Sequence, residues 1–180
     1  MGSANPSDEL GSSEVDFGDA PDSADNPADY ATLRESNGAW HAIDYRYYLG
    51  AGVDSDDRPY ATPNAAGDDV LDGNDDEDGV IFQSALGRGK RAEIKVIASN
   101  TGVLDAWIDF NGDRDWSDPG EQIFTSTQLV KGVNKLSFNV PENASPGVTF
   151  ARFRFSSWGG LPSWGGAPDG EVEDYRIVIR

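Results

Sequence analysis

The stretch Leu104-Asp-Ala-Trp-Ile-Asp-Phe-Asn-Gly-Asp-Arg-Asp-Trp-Ser-Asp-Pro-Gly-Glu121 joins an apolar run to an acidic loop, and both halves bear on the fold. Oxygen-bearing side chains fall at Asp109, Asn111, Asp113, Asp115 and Ser117, every second residue, and the loop closes on Glu121. Alternate oxygen donors on a tight loop, followed by a carboxylate able to bind through both oxygens, suit a hard cation such as Ca²⁺. The spacing departs from the familiar helix-flanked calcium loop. Gly112 stands at the fourth position rather than the sixth, and Glu121 at the thirteenth rather than the twelfth. The lead-in, 104–110, has the composition of a strand. The pattern therefore predicts a calcium loop on a β scaffold. A solvated acidic turn would explain the charge but not the regular spacing.

Outward from this loop, the chain from residue 80 onward breaks into short apolar runs separated by turn residues. Strands are predicted at 80–82, 92–98, 104–110, 122–125, 135–140, 148–156 and 172–179. Alternation in Ile94/Val96/Ala98, Leu136/Phe138/Val140 and Tyr175/Ile177/Ile179 gives each strand one buried and one wet face. Asp78-Gly79, Asn111-Gly112 and Asp169-Gly170 mark turns between runs. This spacing, without a convincing amphipathic helix, predicts an all-β fold: an antiparallel β-sandwich with long, calcium-ordered acidic loops. One short helix is expected near 27–35. Residues 1–14 form a polar lead-in whose Met1-Gly-Ser3 resembles an engineered start, and 15–180 form a single domain cut from a larger protein. Within 15–79 the aromatics Trp40, Tyr45, Tyr47, Tyr48 and Tyr60 interrupt the acids, which favours ordered loops over disorder.

The composition narrows the function. Fourteen Lys and Arg against 32 Asp and Glu leave a net charge of −18. Such a surface repels nucleic acid and anionic membranes. Clustered acids also repel one another, by about 4 kcal/mol for a pair about 4 Å apart at an effective dielectric near 20. A fold that gathers them is expected to bind metal. The absence of cysteine removes disulfides and thiolate sites. Together with a calcium design, it suits an exported bacterial protein at the cell surface, where calcium saturates even weak sites. No run approaches the length of a membrane span, so no membrane insertion is expected. With one histidine, His41, beside Trp40 and no cysteine, nucleophile–base catalysis is disfavoured, and no carboxylate pair separates itself as a catalytic couple. The chain is read as a non-enzyme.

Three further acidic groups accompany the loop: Asp16-Phe-Gly-Asp-Ala-Pro-Asp22, the run from Asp68 to Asp78, and Asp169-Gly-Glu-Val-Glu-Asp-Tyr175. Candidate metal ligands are Asp16, Asp19, Asp68, Asp69, Asp75, Asp76, Glu77, Asp78, Asp109, Asn111, Asp113, Asp115, Glu121, Glu171, Glu173 and Asp174. At about six to eight oxygens per ion, these fill roughly three to five Ca²⁺ sites. The motifs Asp16-Phe-Gly-Asp, Gly67-Asp-Asp69, Asp75-Asp-Glu-Asp-Gly-Val80, Trp107-Ile-Asp-Phe-Asn-Gly-Asp113 and Gly170-Glu-Val-Glu-Asp-Tyr175 occur in one order over roughly residues 15–180. In that order they resemble the GEVED domain of bacterial surface and secreted proteins. The resemblance implies a calcium-loaded, β-rich extracellular module, one unit of a multi-domain protein. It is also similar to calcium-dependent ligand-binding modules of RTX adhesins, some of which capture peptides.

Two features bear on a ligand. Ser157-Trp-Gly-Gly-Leu-Pro-Ser-Trp-Gly-Gly166 doubles a Ser-Trp-Gly-Gly unit, and its glycines leave little bulk to cover Trp158 and Trp164. Those indoles either stack on a sugar or an apolar peptide side chain, or fold back to cap the sandwich. Trp40, Trp107 and Trp116 are expected in the core or packed on loops. Arg152 and Arg154 share a sheet face, either pairing with local acids such as Glu173 or receiving a ligand carboxylate. The expected partners are a peptide or a glycan on another cell surface and the neighbouring domains of the parent protein. The leaning is toward peptide, on the resemblance and the arginine pair. The isolated domain is expected to be monomeric.

Overall fold

A computed structural model describes residues 14–23, 29–67 and 77–180. The strands are β1 (Val15–Phe17), β2 (Trp40–Ala42), β3 (Val80–Phe82), β4 (Arg91–Ala98) and β5 (Gly102–Ile108). They continue as β6 (Gln122–Leu129), β7 (Gly132–Asn139), β8 (Gly147–Ser156), β9 (Gly166–Ala167) and β10 (Glu171–Ile179). The fold is all-β, as the alternation predicts. A four-stranded sheet in the order β10-β8-β5-β6 and a three-stranded sheet in the order β3-β4-β7 share the main core. A small third sheet, β1-β2-β9, contains the parallel pairing of β2 with β9.

The core follows from period-2 patterning. Ile94 and Val96 of β4, Leu104, Ala106 and Ile108 of β5, and Phe153 and Phe155 of β8 point into one cluster. Aromatic edges lock it, with Phe153 meeting Tyr175 at 5.8 Å and Phe124 meeting Phe138 at 6.1 Å.

One expectation fails at the centre of the larger sheet. All seven residues of β5 are buried, and β8 is buried on both faces from Thr149 to Ser156. The irregular segment that precedes β3 covers the outer face. Ala20, Tyr30 and Ala65 pack there on Trp107, Trp116 and Phe150 in a second cluster. No wet face survives because the chain supplies a third layer. The same layering explains why Trp107 and Trp116 are buried as expected. Trp40 remains partly exposed, its ring filling the space above Gly166, where a Cβ would lie 2.3 Å from the indole.

The short helix expected near 27–35 is not formed in the described part of that range. Residues 29–33 are irregular, and a single 3-10 turn follows at Arg34–Ser36. The Asp22 carboxylate instead accepts N–H bonds from Thr32 and Leu33 and the hydroxyl of Ser36. A side-chain acceptor thus takes the place of helical carbonyls.

Candidate metal centre

Loop 109–121 leaves the buried end of β5 and returns to the start of β6. Its two ends are tied where Ile108 N–H donates to the Glu121 carbonyl at 2.9 Å. That bond sets Asp109 and Glu121 side by side, both buried. The Asp109 Oδ1 accepts Gly112 N–H at 2.6 Å. Its Oδ2 accepts Arg114 N–H at 3.0 Å and the Tyr30 hydroxyl at 2.5 Å. The Glu121 Oε1 accepts Phe110 N–H at 3.0 Å. Further along, Asn111 Oδ1 accepts Asp113 N–H at 3.0 Å and Asp115 Oδ1 accepts Ser117 N–H at 2.7 Å. The every-second-residue spacing is therefore a series of side chains capping the backbone two residues on.

Carboxylate oxygens of Asp109, Asp113 and Glu121 all lie within 4.8 Å of one another, and those of Asp113, Asp115 and Asp118 do likewise. Among the described residues these are the groups close enough to share an ion. Asn111 Nδ2 donates into both, to Asp113 Oδ2 at 2.9 Å and Asp118 Oδ2 at 2.6 Å. One amide is weak compensation for so many acids. Burial, with the neighbouring Asp109 charge adding to it, pushes the Glu121 carboxyl up to about 7. The donor set is all hard oxygen, part buried and part open to solvent, which fits Ca²⁺ and not a thiolate- or imidazole-seeking metal. Asp109, Asp113 and Glu121 would hold one ion, and Asp113, Asp115 and Asp118 form an adjoining group. Asp118 breaks the alternating pattern that identified the others. Only the return of the loop brings it beside Asp113.

The remaining predicted ligands fare differently. Asp68, Asp69, Asp75 and Asp76 lie outside the described residues. Asp174 is corrected outright: both its oxygens bind Arg152, at 2.7 Å to Nε and 2.6 Å to Nη2, and Oδ2 also accepts Ala20 N–H at 2.8 Å. Asp16, Asp19, Glu171 and Glu173 accept backbone N–H groups of Val172, Gly67, Leu49 and Gly79. Asp78 accepts Ala51 N–H, and Glu77 Oε1 accepts Asp174 N–H at 3.3 Å. The bonds of Leu49, Gly79, Val172 and Asp174 fasten the segment before β3 to β10, whereas those of Gly67 and Ala51 lie within that segment.

Close packing explains two glycines in these motifs. A Cβ at Gly18 would lie 2.5 Å from Asp174 Oδ2 and 2.6 Å from Arg152 Nη2. At Gly170 (φ +97°) it would lie 1.8 Å from the Phe155 carbonyl oxygen.

Arg152 and Arg154 are fully buried, an environment that favours the internal pairing over contact with a ligand carboxylate. They do share a face, but the acid that pairs with Arg152 is Asp174, its register partner, and not Glu173. Arg152 also donates to the Ala31 and Ser163 carbonyls at 2.5 and 2.8 Å and lies 4.5 Å over the Trp116 ring. Arg154 donates to the carbonyls of Pro162, Trp164 and Gly165 at 2.7, 2.9 and 2.8 Å. Its Nε donates to His41 Nε2 at 3.0 Å. That acceptor role requires the proton on Nδ1, which donates to the Asp169 carbonyl at 2.7 Å. His41 is thus a neutral structural group, held well below its usual pKa by burial and then by the Arg154 charge.

Both arginines grip the backbone of loop 157–166 from beneath. Leu161 N–H adds a bond to Asp105 Oδ2 at 3.0 Å, and Gly165 N–H one to the Asn37 carbonyl at 2.9 Å. Above this frame Trp158 is 81% exposed and Trp164 52%, so neither indole folds back to cap the sandwich.

Residues 103–178 match the family model described as GEVED domain. The match contains loop 109–121, loop 157–166 and the acidic strand β10. The earlier motifs, from Asp16 to Val80, precede it. No curated protein and no solved structure matches the chain.

Proposed function

We propose that this chain is a non-catalytic, calcium-dependent binding module of a large bacterial extracellular adhesin. Calcium held by loop 109–121 orders one end of the sandwich, and the neighbouring loop 157–166 meets a ligand on another cell surface. The observation that carries the reading is the convergence of Asp109, Asp113 and Glu121, two of them buried, on a volume small enough for one ion. Without a cation, several kcal/mol of carboxylate repulsion opposes the fold there. The match of residues 103–178 to the GEVED family model supports an extracellular setting, where calcium is abundant.

Burial of Arg152 and Arg154 takes away the anchor for a peptide carboxylate and moves the ligand question to the exposed indoles. It also favours a second reading, in which calcium only stiffens a spacer. Calorimetry tests the first requirement. At a free calcium concentration about a hundredfold above Kd, stabilisation is about 2.7 kcal/mol, which raises Tm by roughly 5–10 °C over chelated protein. Asp113→Ala, at an exposed site, removes that increment. An unchanged Tm in chelator rejects calcium dependence. A calcium-stabilised domain that binds nothing on peptide and glycan arrays is the spacer.

A further inference from the structure

Between the two loops lies an open groove of about 300 Å³, at the lower end of the size of small-ligand sites. One wall is Trp164 with the Leu161–Ser163 backbone. The other is the outer turn of loop 109–121 at Asp115 and Ser117, and Tyr30, Trp116 and Gln122 are among the residues that line the floor and sides. We infer that this groove is a saccharide site, in which a neutral sugar ring stacks on Trp164 and its hydroxyls bond to Gln122 and Ser117. The inference deepens the function proposed above, because one wall is the loop that calcium orders.

Three observations carry it. Trp164 is half exposed, yet its backbone is among the most firmly held in the domain. Its own carbonyl is bonded to Arg154, and the carbonyls before and after it are bonded to Arg152 and Arg154. An indole left half in water forgoes part of the stabilisation that burying it would bring. Rigid presentation of such a ring cuts the ordering cost of binding and suits a flat apolar face such as that of a pyranose.

The polar side chains that line the groove include the Ser117 hydroxyl and the Gln122 amide, which offer both donors and acceptors to a polyol. Charge decides against the competing ligands. With the chain at −18 and acids on the rim, an anionic ligand is repelled. A cationic side chain has little to pair with: Asp29 is already bonded to Arg114 at 3.1 Å, and Asp115 belongs to a cation group. A neutral ligand is what remains.

The test uses the intact chain in millimolar calcium on an array of neutral oligosaccharides beside a random peptide library. Hits are followed by titration of the free sugar against tryptophan fluorescence. At least one neutral saccharide binds saturably. Trp164→Ala weakens it about tenfold, Gln122→Ala about threefold to tenfold, and Trp164→Tyr retains most of the affinity. The melting temperature of each variant stays near that of the parent, since both side chains are exposed. A blank glycan array with calcium-stabilised protein overturns the saccharide site and leaves calcium dependence standing. Peptide-only binding, or sugar binding indifferent to Trp164→Ala in a folded variant, overturns it equally. Loss of calcium stabilisation itself would instead point to failure of the cation reading.

Discussion

Glu121 supplies a sharp test, because its protonation and calcium binding compete for the same carboxylate. In the cation-free protein its pKa lies near 7 against an ordinary 4.5, so the folded state holds a proton that the unfolded state has released. Its contribution to stability is fully present below about pH 4.5 and is lost as pH rises through about 7. Discounted for partial solvent access to the carboxyl, this displacement corresponds to on the order of 2–3 kcal/mol. His41 works in the opposite direction over part of this range, so the wild-type curve alone understates the loss. Comparing wild type with Glu121→Gln removes His41 and every other shared group from the difference.

Urea unfolding in chelator, at steps from pH 4.5 to 8.5, should show Glu121→Gln gaining about 2–3 kcal/mol on wild type across the series. In saturating calcium the order reverses, because the variant lacks a ligand and the bound ion replaces the proton. A companion titration of calcium at pH 7, in buffers of different ionisation enthalpy, should report release of about half a proton from this group. A constant difference between the two proteins across the pH range would refute the claim that Glu121 sits in an uncompensated acidic cluster.

The buried pair gives a second outcome. Asp174→Ala strands Arg152 without its bidentate partner in a site with no solvent access, and should cost about 3–5 kcal/mol by urea unfolding. Loop 157–166 should then become a site of early proteolysis. A third concerns His41, whose folded pKa lies well below 6.5. The unfolded chain takes up this proton first, so stability falls as pH drops below about 6.5. His41→Gln should flatten that arm while lowering stability at pH 8 by about 1 kcal/mol through the altered bond to Arg154. Persistence of the full acid slope in the variant assigns it to other groups.

Much of this protein was legible in its residue order. Strand periodicity located β4, β5 and β10 to within a few residues because each contributes a period-2 apolar row to the main core, while short apolar runs bounded by turn residues marked β3 and β6 to β8. The spacing of Asp109, Asn111, Asp113, Asp115 and Glu121 marked the loop because a cation's needs and an Asx-capped turn are both local. The doubled Ser-Trp-Gly-Gly unit announced an aromatic loop. It did not say whether the rings were exposed, since that depends on what lies beneath them.

Assignments that required distant segments were decided only in three dimensions. Acids of similar appearance separate into a clustered loop group and internal braces according to the neighbour that the fold brings. Asp174 meets Arg152 across the β8–β10 register, and Asp118 meets Asp113 where the loop turns back. The brief pairings of β1, β2 and β9 carry too few residues to form a pattern and exist because the sheet beneath holds them. Composition and period set which residues seek water and which seek each other. The partner each buried charge finds depends on chain topology, because electrostatic and hydrogen-bond energies are set by distance in space and not by separation along the sequence.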